Sequence, residues 1–342
     1  MATNNTSSRL VMDEDIVISG MSGRFPEADN TDEFAQHLYQ KSDLFTEDDR
    51  RWPTDLYGMN QRMAKLKEID KFDGLYFGII GHMADQTDPQ ARILLETTYE
   101  AIVDAGVNPQ DLRGSQTGVY IGYSSMGMPD GFPNEVQPDS QSSMTDTIVW
   151  YPGSAKCIYA NRISFIFDFK GKSMVIDTAC SSSIVALDVA ISDLRLGKCD
   201  QAIVGGVGIN LQPFTNHIYQ RQQINSRDGI PKVWDEKADG FVRGETVSCV
   251  FLQRKSRARR QYATILNTSI NIDGNKKIGM FFPSAESQEE LMIKTYTEAG
   301  VDPLRINYFE AHGTGTEVGD TQEAKAIYNA YCVRPQRTEP CP

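Results

Sequence analysis

The pattern of apolar and polar positions along the chain predicts short strands that alternate with helices. Residues 15–19 form an apolar run typical of a strand, and Gly20 and Gly23 are expected to end it. Similar apolar runs predict further strands at 117–122, 174–176, 202–206, 264–266 and 306–309. Strands that alternate with helices indicate an α/β protein with a mixed or parallel sheet.

Three amphipathic stretches predict helices between these strands. Asp88 and Pro89 supply an N-cap and a proline at the first helical position, and the helix that they open is expected to stop at Gly106. A second helix has an apolar face from Ile184 to Leu194 and ends near Gly197. A third is expected over residues 287–299, before the last predicted strand.

Two segments show neither the apolar runs of a strand nor the spacing of an amphipathic helix. Residues 1–14 are predicted to be a disordered tail, and residues 124–148 are rich in Ser, Asp, Pro, Gly and Met. The second segment indicates a long surface excursion within a domain rather than a linker. There is no internal sequence repeat from which a duplicated architecture could be derived.

Composition and charge exclude several classes of function. The 342 residues carry a formal net charge of −12, so a nucleic-acid-binding surface is not expected. The basic run at 254–260 could meet an anionic carrier protein, but a solvated face is the favoured interpretation. No apolar stretch approaches 18 residues, so no membrane span is expected.

The cysteines and the polar amino terminus favour a reducing, cytoplasmic location. Residues 1–10 lack the apolar centre of a signal peptide. The cysteines are scattered without a CxxC pair, which argues against a zinc site and against a disulfide framework. Their positions are Cys157, Cys180, Cys199, Cys249, Cys332 and Cys341.

Cys180 differs from the other cysteines because it lies where a buried strand meets an amphipathic helix. The helix dipole and free backbone N–H groups at such a junction favour the reactive thiolate. The Cys180 N–H could also serve as one half of an oxyanion hole for an attacked thioester. The alternative for an isolated cysteine is a buried structural residue, which is the interpretation for the other five.

Among the four histidines, only His312 has neighbours that indicate chemistry. It lies at the end of a predicted strand, within the segment EAHGTGT at 310–316. Its glycines permit close backbone approach and its threonines offer hydroxyls to a bound amide. Phosphate binding is disfavoured because no lysine stands at the P-loop spacing. The other histidines, predicted to be structural, are His37 in a helix, His82 in a loop and His217 after a turn.

Together, the segments DTACSSS at 177–183 and EAHGTGT at 310–316 resemble two motifs of the β-ketoacyl synthases of fatty acid and polyketide synthases. The resemblance extends from about residue 14 to the end of the sequence. Further matching segments are GMSGRFP at 20–26, DPQ at 88–90, ANRIS at 160–164 and DGFVRGE at 239–245. Three stretches resemble the animal fatty acid synthases in particular: LK at 66–67 with FD at 72–73, YEAIVDAG at 99–106, and RR at 259–260 with YATILN at 262–267.

The resemblance implies an α/β, thiolase-like αβαβα fold of two similar halves. The first half would cover 15–256 and carry Cys180, and a partial second half would cover 257–342 and carry His312. Cys180 would take an acyl chain from a phosphopantetheine thioester, and His312 would stabilise the enolate that forms when malonyl thioester loses carbon dioxide. Thr314 and Thr316 would contact the pantetheine arm, while Phe241 would line the acyl pocket.

The same resemblance implies an acyl carrier protein as partner and a homodimer formed through the first half. It implies no directly bound cofactor and no metal, because the substrates arrive on the carrier's phosphopantetheine. A polyketide synthase ketosynthase is the second hypothesis, and a truncated, non-catalytic dimerisation or docking fragment is the third.

The chain also departs from the family pattern. Lys172 stands where the family usually has proline, and residues 246–249 replace a glycine-rich run. The resemblance also implies a further family segment, with a lysine and a second histidine, that would follow Pro342. We therefore expect this 342-residue chain alone to catalyse condensation only weakly.

Overall fold

A mixed six-stranded sheet lies at the centre of the structure. The computed structural model describes residues 14–53, 56–79, 81–124 and 155–338. In chain order the strands are β1 (Ile16–Arg24), β2 (Phe45–Thr46), β3 (Met63–Ala64), β4 (Thr117–Tyr123), β5 (Ser173–Ile176), β6 (Gln201–Gly208), β7 (Thr246–Arg254) and β8 (Ala263–Thr264). Strands β2 and β3 pair with each other, and the rest form one sheet in the order β5-β4-β6-β7-β1-β8.

Helices cover both faces of this sheet. They are α1 (Thr31–Gln40), α2 (His82–Gln86), α3 (Pro89–Asp104), α4 (Lys156–Phe167), α5 (Ser182–Arg195), α6 (Pro213–Arg221), α7 (Ala285–Glu298) and α8 (Glu317–Tyr328). None of the helices in the described residues is long and apolar enough to cross a membrane.

The alternation of side chains along β4 shows how the two faces are filled. Val119 and Ile121 join one apolar cluster with residues of α3 and α4, while Tyr120 joins a second cluster with residues of α5. Successive strand residues point to opposite faces, so one strand contributes to both clusters. The predicted α/β arrangement is confirmed as three layers, with helices on each side of the sheet.

Strand directions bring several chain segments to one edge of the sheet. Strands β5, β4 and β6 are parallel, so their carboxyl ends lie together. Strand β7 runs antiparallel to β6, with Thr246 opposite Gly208, and therefore begins at that same edge. Residues that follow β5 and β6 are thus brought close to residues that precede β7.

The predicted end of the first strand at Gly20 is wrong. Strand β1 continues through Gly20 and Gly23 to Arg24, with a register shift against β7 between Ile18 and Gly20. A Cβ on Gly20 would lie only 2.0 Å from the carbonyl oxygen of Ala101 in α3. This glycine therefore permits close contact between helix and strand instead of ending the strand.

The predicted strand at 306–309 is also wrong. Ile306 has extended backbone angles, φ −76° and ψ 120°, yet residues 306–309 belong to no strand. Extended backbone becomes a strand only when a neighbouring strand supplies hydrogen bonds, and the described residues place none beside it. The predicted strand at 264–266 is shorter than expected, because only Ala263 and Thr264 pair with β1.

The helix predictions agree closely with the structure. Asp88 caps α3 by accepting a hydrogen bond from the backbone N–H of Gln90 at 2.7 Å. The helix predicted at 287–299 is α7, and His37 lies in α1 as expected. His82 and His217, expected in a loop and after a turn, lie in α2 and α6. The predicted tail lies outside the described residues up to residue 13, and the excursion does so from residue 125 onward.

Candidate active site

Cys180 lies in a tight turn between β5 and α5. The turn is a short 3-10 segment, Ala179–Ser181, and α5 begins at Ser182 immediately after it. Cys180 is accessible to solvent, although its thiol group is partly buried. The predicted strand-to-helix junction is therefore confirmed at atomic detail.

Local hydrogen bonds hold this turn in an unusual conformation. Ala179 has a positive φ of 55°, which side chains other than glycine rarely adopt. The Asp177 carboxylate accepts from the Ala179 N–H at 3.1 Å, and the Ser182 hydroxyl donates to the Ala179 carbonyl at 2.6 Å. The Ser182 hydroxyl also accepts from the Thr178 N–H at 2.9 Å. Strain in a turn that carries a reactive residue is typical of functional sites.

Two glycines let the start of α5 press against the sheet. A Cβ on Gly122 of β4 would lie 2.4 Å from the backbone nitrogen of Ser183. A Cβ on Gly206 of β6 would lie 3.1 Å from the Cβ of Ser183. The two glycines are paired directly across β4 and β6, so together they allow close packing of the helix that follows Cys180.

The loop that carries His312 is held by carboxylates of α8. Both oxygens of Glu323 accept backbone hydrogen bonds, from the His312 N–H at 2.7 Å and the Gly313 N–H at 2.9 Å. Buried Asp320 accepts from the N–H of Gly315 at 3.0 Å and of Trp234 at 2.9 Å. Hydrogen bonds to ionised acceptors are stronger than neutral ones, so these contacts fix the loop.

The structure brings Cys180 and His312 together from segments that are far apart in the sequence. Hydrogen bonding with the His312 imidazole lowers the pKa of Cys180, although partial burial of the thiol opposes this effect. The same hydrogen bond raises the pKa of His312, helped by the charges of Glu323 and Asp320. Both shifts favour a thiolate beside an imidazolium, which is the reactive form of a cysteine nucleophile.

Phe241 lines a cavity on another side of the site. The cavity has a volume of about 120 Å³, and its wall also contains Arg243, Asn216 and Asn225. The Phe241 ring meets the Tyr219 ring edge-on at 5.8 Å. The charge of Arg243, which lies in the cavity wall, makes a minor contribution to the lowered pKa of Cys180.

Thr314 and Thr316 lie in the His312 loop, with their hydroxyl oxygens 2.9 Å apart. Gly319 leaves room for them, because a Cβ at that position would lie 2.4 Å from the Thr316 hydroxyl oxygen. Both side chains are partly accessible. Their role towards pantetheine stays a prediction.

Family comparisons agree with this geometry. The family model of the β-ketoacyl synthase N-terminal domain matches residues 13–258, and that of the C-terminal domain matches residues 262–342. The chain belongs to the β-ketoacyl synthase family. A fatty acid synthase of Anser anser anser is 44% identical over 319 residues, which are 93% of this chain and 89% of that sequence.

Other proteins match this chain over a smaller share of their own length. The lovastatin nonaketide synthase of Monascus pilosus is 41% identical over 273 residues, which are 78% of this chain and 9% of that protein. The solved ketosynthase from module 6 of the bacillaene synthase of Bacillus subtilis 168 is 34% identical with a TM-score of 0.84. That match covers 96% of this chain and 56% of the solved one. The β-ketoacyl synthase shares their thiolase-like fold.

The remaining cysteines of this β-ketoacyl synthase lie in ordinary surroundings. Cys199 and Cys249 are buried, and burial raises the pKa of both thiols. Cys157 is exposed in α4, and Cys332 is partly buried. Cys341 lies outside the described residues. Among the described cysteines, Cys180 combines exposure with a lowered pKa.

Sequence reasoning missed the residues that support the nucleophile and histidine. Asp320 and Glu323 were assigned no role, although acidic residues early in a helix that follows a glycine-rich loop are a detectable signal. Arg243 lies within the DGFVRGE segment, and its contact with the Asn210 side chain depends on strand order, which the sequence pattern does not reveal.

Proposed function

We propose that this chain is the condensing enzyme of a fatty acid synthase, with Cys180 as the acyl-accepting nucleophile. The observation that supports this most directly is the pairing of the Cys180 thiol with His312, which lowers the thiol pKa at a strained strand-to-helix turn. The similarity to a fatty acid synthase over 93% of the chain supports the substrate class.

In the first half-reaction, the Cys180 thiolate attacks the carbonyl carbon of an acyl thioester. The carbon–sulfur bond to phosphopantetheine then breaks, and the departing thiolate takes the proton of the His312 imidazolium to become the free carrier thiol. The Cys180 N–H, in the turn before α5, would donate a hydrogen bond to the oxyanion that forms during this transfer.

In the second half-reaction, malonyl thioester loses carbon dioxide and leaves an enolate. A donated hydrogen bond from the His312 imidazole stabilises the negative oxygen of this enolate. The enolate carbon attacks the acyl-Cys180 carbonyl, a carbon–carbon bond forms, and the Cys180 thiolate is released. Thr314 and Thr316 would hold the pantetheine amides, and Phe241 would line the acyl pocket.

The partner of this reaction is an acyl carrier protein, which presents both thioesters. Docking through the basic run at 254–260 is not favoured, because much of that run bonds within the chain. Arg254 pairs with Glu14 at 2.5 Å, Arg257 with Asp200 at 3.3 Å, and Arg260 with Asp104. The predicted solvated face therefore remains the better interpretation. We place the reaction in the cytosol, where thiols stay reduced.

Membership of the β-ketoacyl synthase family also implies a homodimer formed through residues 15–256. Among the described residues, strand β5 lies at one edge of the six-stranded sheet, and a sheet edge is a template for pairing with a second chain. Exposed apolar side chains lie nearby in sequence on the helices that flank it, Phe165 on α4 and Ile184 on α5. These features support a dimer formed edge to edge, with residues 257–342 as a separate second half.

The proposal is tested by limited alkylation of the folded 342-residue chain with iodoacetamide, followed by mass spectrometry. We expect preferential labelling of Cys180 over Cys157, which is also exposed but lies within α4 rather than at the strand-to-helix turn. Acylation by an acyl carrier thioester should disappear in Cys180→Ser and persist in Cys157→Ser. Equal labelling of both cysteines, or acylation of Cys180→Ser, would exclude Cys180 as the nucleophile.

Polyketide extension is the second candidate, because polyketide synthases also match most of this chain. The two are separated by comparing saturated acyl thioesters with thioesters that carry a β-oxygen. Faster acylation of Cys180 by the saturated chains supports the fatty acid synthase role, whereas preference for the oxygenated chains supports the polyketide role.

A further inference from the structure

The cavity that Phe241 lines has a wall rich in hydrogen-bond donors. Three arginines contribute to this cavity of about 120 Å³: Arg62, Arg227 and Arg243. Among the described residues that line it, none is acidic, and five carry a side-chain amide: Asn60, Asn216, Gln220, Gln223 and Asn225. An apolar ligand would leave these donors unpaired, whereas an anion can accept hydrogen bonds from them.

Two of the three arginines keep donors that a ligand could use. Arg62 is already paired with Asp43 at 2.6 Å. The exposed Arg227 side chain makes no hydrogen bond or ion pair within the described residues. Arg243 donates through Nε and Nη2 to the Asn210 side-chain oxygen, at 3.0 Å and 2.6 Å, and its Nη1 has no acceptor in this part of the chain.

The charge of Arg243 has no carboxylate partner of its own. The carboxylate of Glu245 acts on it, but Glu245 is already paired with buried Arg51 at 2.7 Å. Burial lowers the pKa of Arg243, because desolvation disfavours the charged guanidinium. A largely buried cation without a paired anion is costly, so an anionic ligand in the cavity would stabilise it.

The carboxylates near Arg227 are paired with a lysine. Asp239 accepts a hydrogen bond from the Arg227 backbone N–H at 3.2 Å. Asp228 and Asp239 both bind the Lys232 ammonium, at 3.0 Å and 2.8 Å. Neither aspartate belongs to the cavity wall, so the Arg227 guanidinium stays available to a ligand.

The cavity adjoins the loop that is predicted to hold pantetheine. Gly240 precedes Phe241 of the cavity wall, and its N–H donates to the Gly315 carbonyl at 2.9 Å. A Cβ on Gly315 would lie only 3.1 Å from the Gly240 carbonyl oxygen, so the two segments are in direct contact. Gly315 itself lies between Thr314 and Thr316. A ligand held by these threonines would therefore lie next to the cavity.

From this arrangement we propose that the cavity binds the phosphate end of the phosphopantetheine arm through Arg227 and Arg243. The inference rests on the proposed function, which supplies a carrier-borne arm. A phosphate has more acceptor oxygens and more negative charge than a carboxylate, and two guanidiniums beside amide donors match it. The arm carries two methyl groups close to its phosphate, and these would contact the apolar part of the wall: Met59, Met63, Phe241 and Val242.

The test is calorimetric titration of the 342-residue chain with phosphopantetheine, pantetheine and inorganic phosphate. We expect phosphopantetheine to bind about tenfold more tightly than pantetheine, because only the phosphate forms charge-assisted hydrogen bonds with the arginines. Inorganic phosphate should compete with phosphopantetheine and leave pantetheine binding unchanged. If inorganic phosphate bound as tightly as phosphopantetheine, the cavity would be a site for free phosphate, and the arm as its ligand would be overturned.

Two neighbouring glutamines provide a matched pair of variants. Gln223→Glu places a carboxylate in the cavity wall at nearly constant side-chain size, and it should remove most of the preference for phosphopantetheine. Gln222→Glu adds the same charge to an exposed residue outside the wall, and it should keep the preference. Thermal unfolding shows whether each variant folds. If Gln223→Glu does not fold, Arg227→Gln replaces it, with Arg221→Gln as the control at an exposed arginine outside the wall.

The outcomes separate this inference from the proposed function. Equal binding of phosphopantetheine and pantetheine to the wild type overturns the phosphate site, and so does an equal preference in Gln223→Glu and Gln222→Glu. Preferential iodoacetamide labelling of Cys180 without a phosphate preference overturns the phosphate site alone. A phosphate preference in a chain whose Cys180 is not preferentially labelled supports the phosphate site and overturns the proposed nucleophile.

Discussion

The segments that carry Cys180 and His312 are positioned by different means. The Cys180 turn lies on the six-stranded sheet, and two glycines let the backbone of α5 come within van der Waals distance of β4 and β6. The His312 loop lies in a region where residues 306–316 belong to no strand or helix, and two carboxylates of α8 hold it through backbone hydrogen bonds.

This difference separates two ways of fixing a reactive side chain. Close backbone packing tolerates no added atom, so the nucleophile depends on small residues. A loop held by carboxylates depends on ionised side chains, and it fails when a carboxylate is replaced even though no atom clashes. Substitutions of similar size should therefore affect the two segments unequally.

The largest expected effect comes from Gly122→Ala. The added methyl group would lie 2.4 Å from the Ser183 nitrogen and 2.6 Å from the Ser182 carbonyl carbon, so α5 must move. We expect a loss of about 3 kcal/mol in the free energy of unfolding, with much slower Cys180 alkylation. Urea denaturation and alkylation kinetics measure the two effects.

Gly208→Ala is the matched control for this change. Gly208 ends β6 at the same sheet edge, and a Cβ there would meet nothing within 4 Å. Its stability should change by no more than about 0.5 kcal/mol. If the two variants behaved alike, close packing beneath α5 would not be what fixes the nucleophile.

A smaller effect is expected from Asp320→Asn in the His312 loop. The amide keeps one acceptor oxygen and turns an N–H group towards the backbone N–H of Gly315 or Trp234. We expect a loss of about 2 kcal/mol in stability, because a buried donor is left unpaired. Enolate stabilisation should fall with it, as carbon dioxide release from malonyl thioester would show.

The control for the loop is Glu317→Gln, an exposed position in the first turn of α8. The Glu317→Gln change removes a carboxylate from α8 but leaves the hydrogen bonds from the loop to Asp320 and Glu323 in place. Decarboxylation should stay near the wild-type rate. An equal loss in both variants would mean that the overall charge of α8, rather than the anchoring contacts, governs His312.

The sequence predicted the Cys180 segment much better than the His312 segment, and the reason is physical. The apolar run of β5 and the amphipathic face of α5 are local patterns, so the junction at Cys180 could be found without the fold. The strand expected at 306–309 failed because pairing depends on a neighbour that periodicity cannot identify. Likewise, Arg243 and Asn210 meet only because β6 and β7 are paired, which no spacing in the sequence reveals.

The pairing of the two segments is tested by the pH profile of His312→Gln. Hydrogen bonding to His312 is the main cause of the lowered Cys180 pKa, so its loss should raise the pH at which Cys180 is half ionised. Alkylation should slow near neutral pH and match wild type above the ordinary thiol pKa. In the wild type, reactivity persists until the pH falls through the lowered Cys180 pKa.

His217→Gln is the control, since His217 lies in α6 against the Tyr57 ring and not at Cys180. Its profile should overlay the wild type. A His312→Gln profile that also overlays the wild type would show that the two segments act independently, and the thiolate–imidazolium pair would have to be abandoned.

The smallest effect is expected from Lys172→Met, at the opposite end of β5 from Cys180. The Lys172 ammonium donates hydrogen bonds to both carboxylate oxygens of buried Asp193, at 2.9 Å and 2.8 Å. Asp193 keeps the Tyr120 hydroxyl at 2.9 Å and the Lys198 ammonium at 3.6 Å after the change. Because the Lys172 side chain is 43% exposed, solvent screens the pair, and we expect a loss of about 1 kcal/mol or less in the free energy of unfolding. Thermal unfolding measures this loss, and Cys180 alkylation should keep its wild-type rate because glycine packing at the carboxyl end of the strand is untouched.

Slower alkylation in a folded Lys172→Met variant would show that the nucleophile also depends on the amino end of β5. The contrast between a packed turn and an anchored loop would then be too simple.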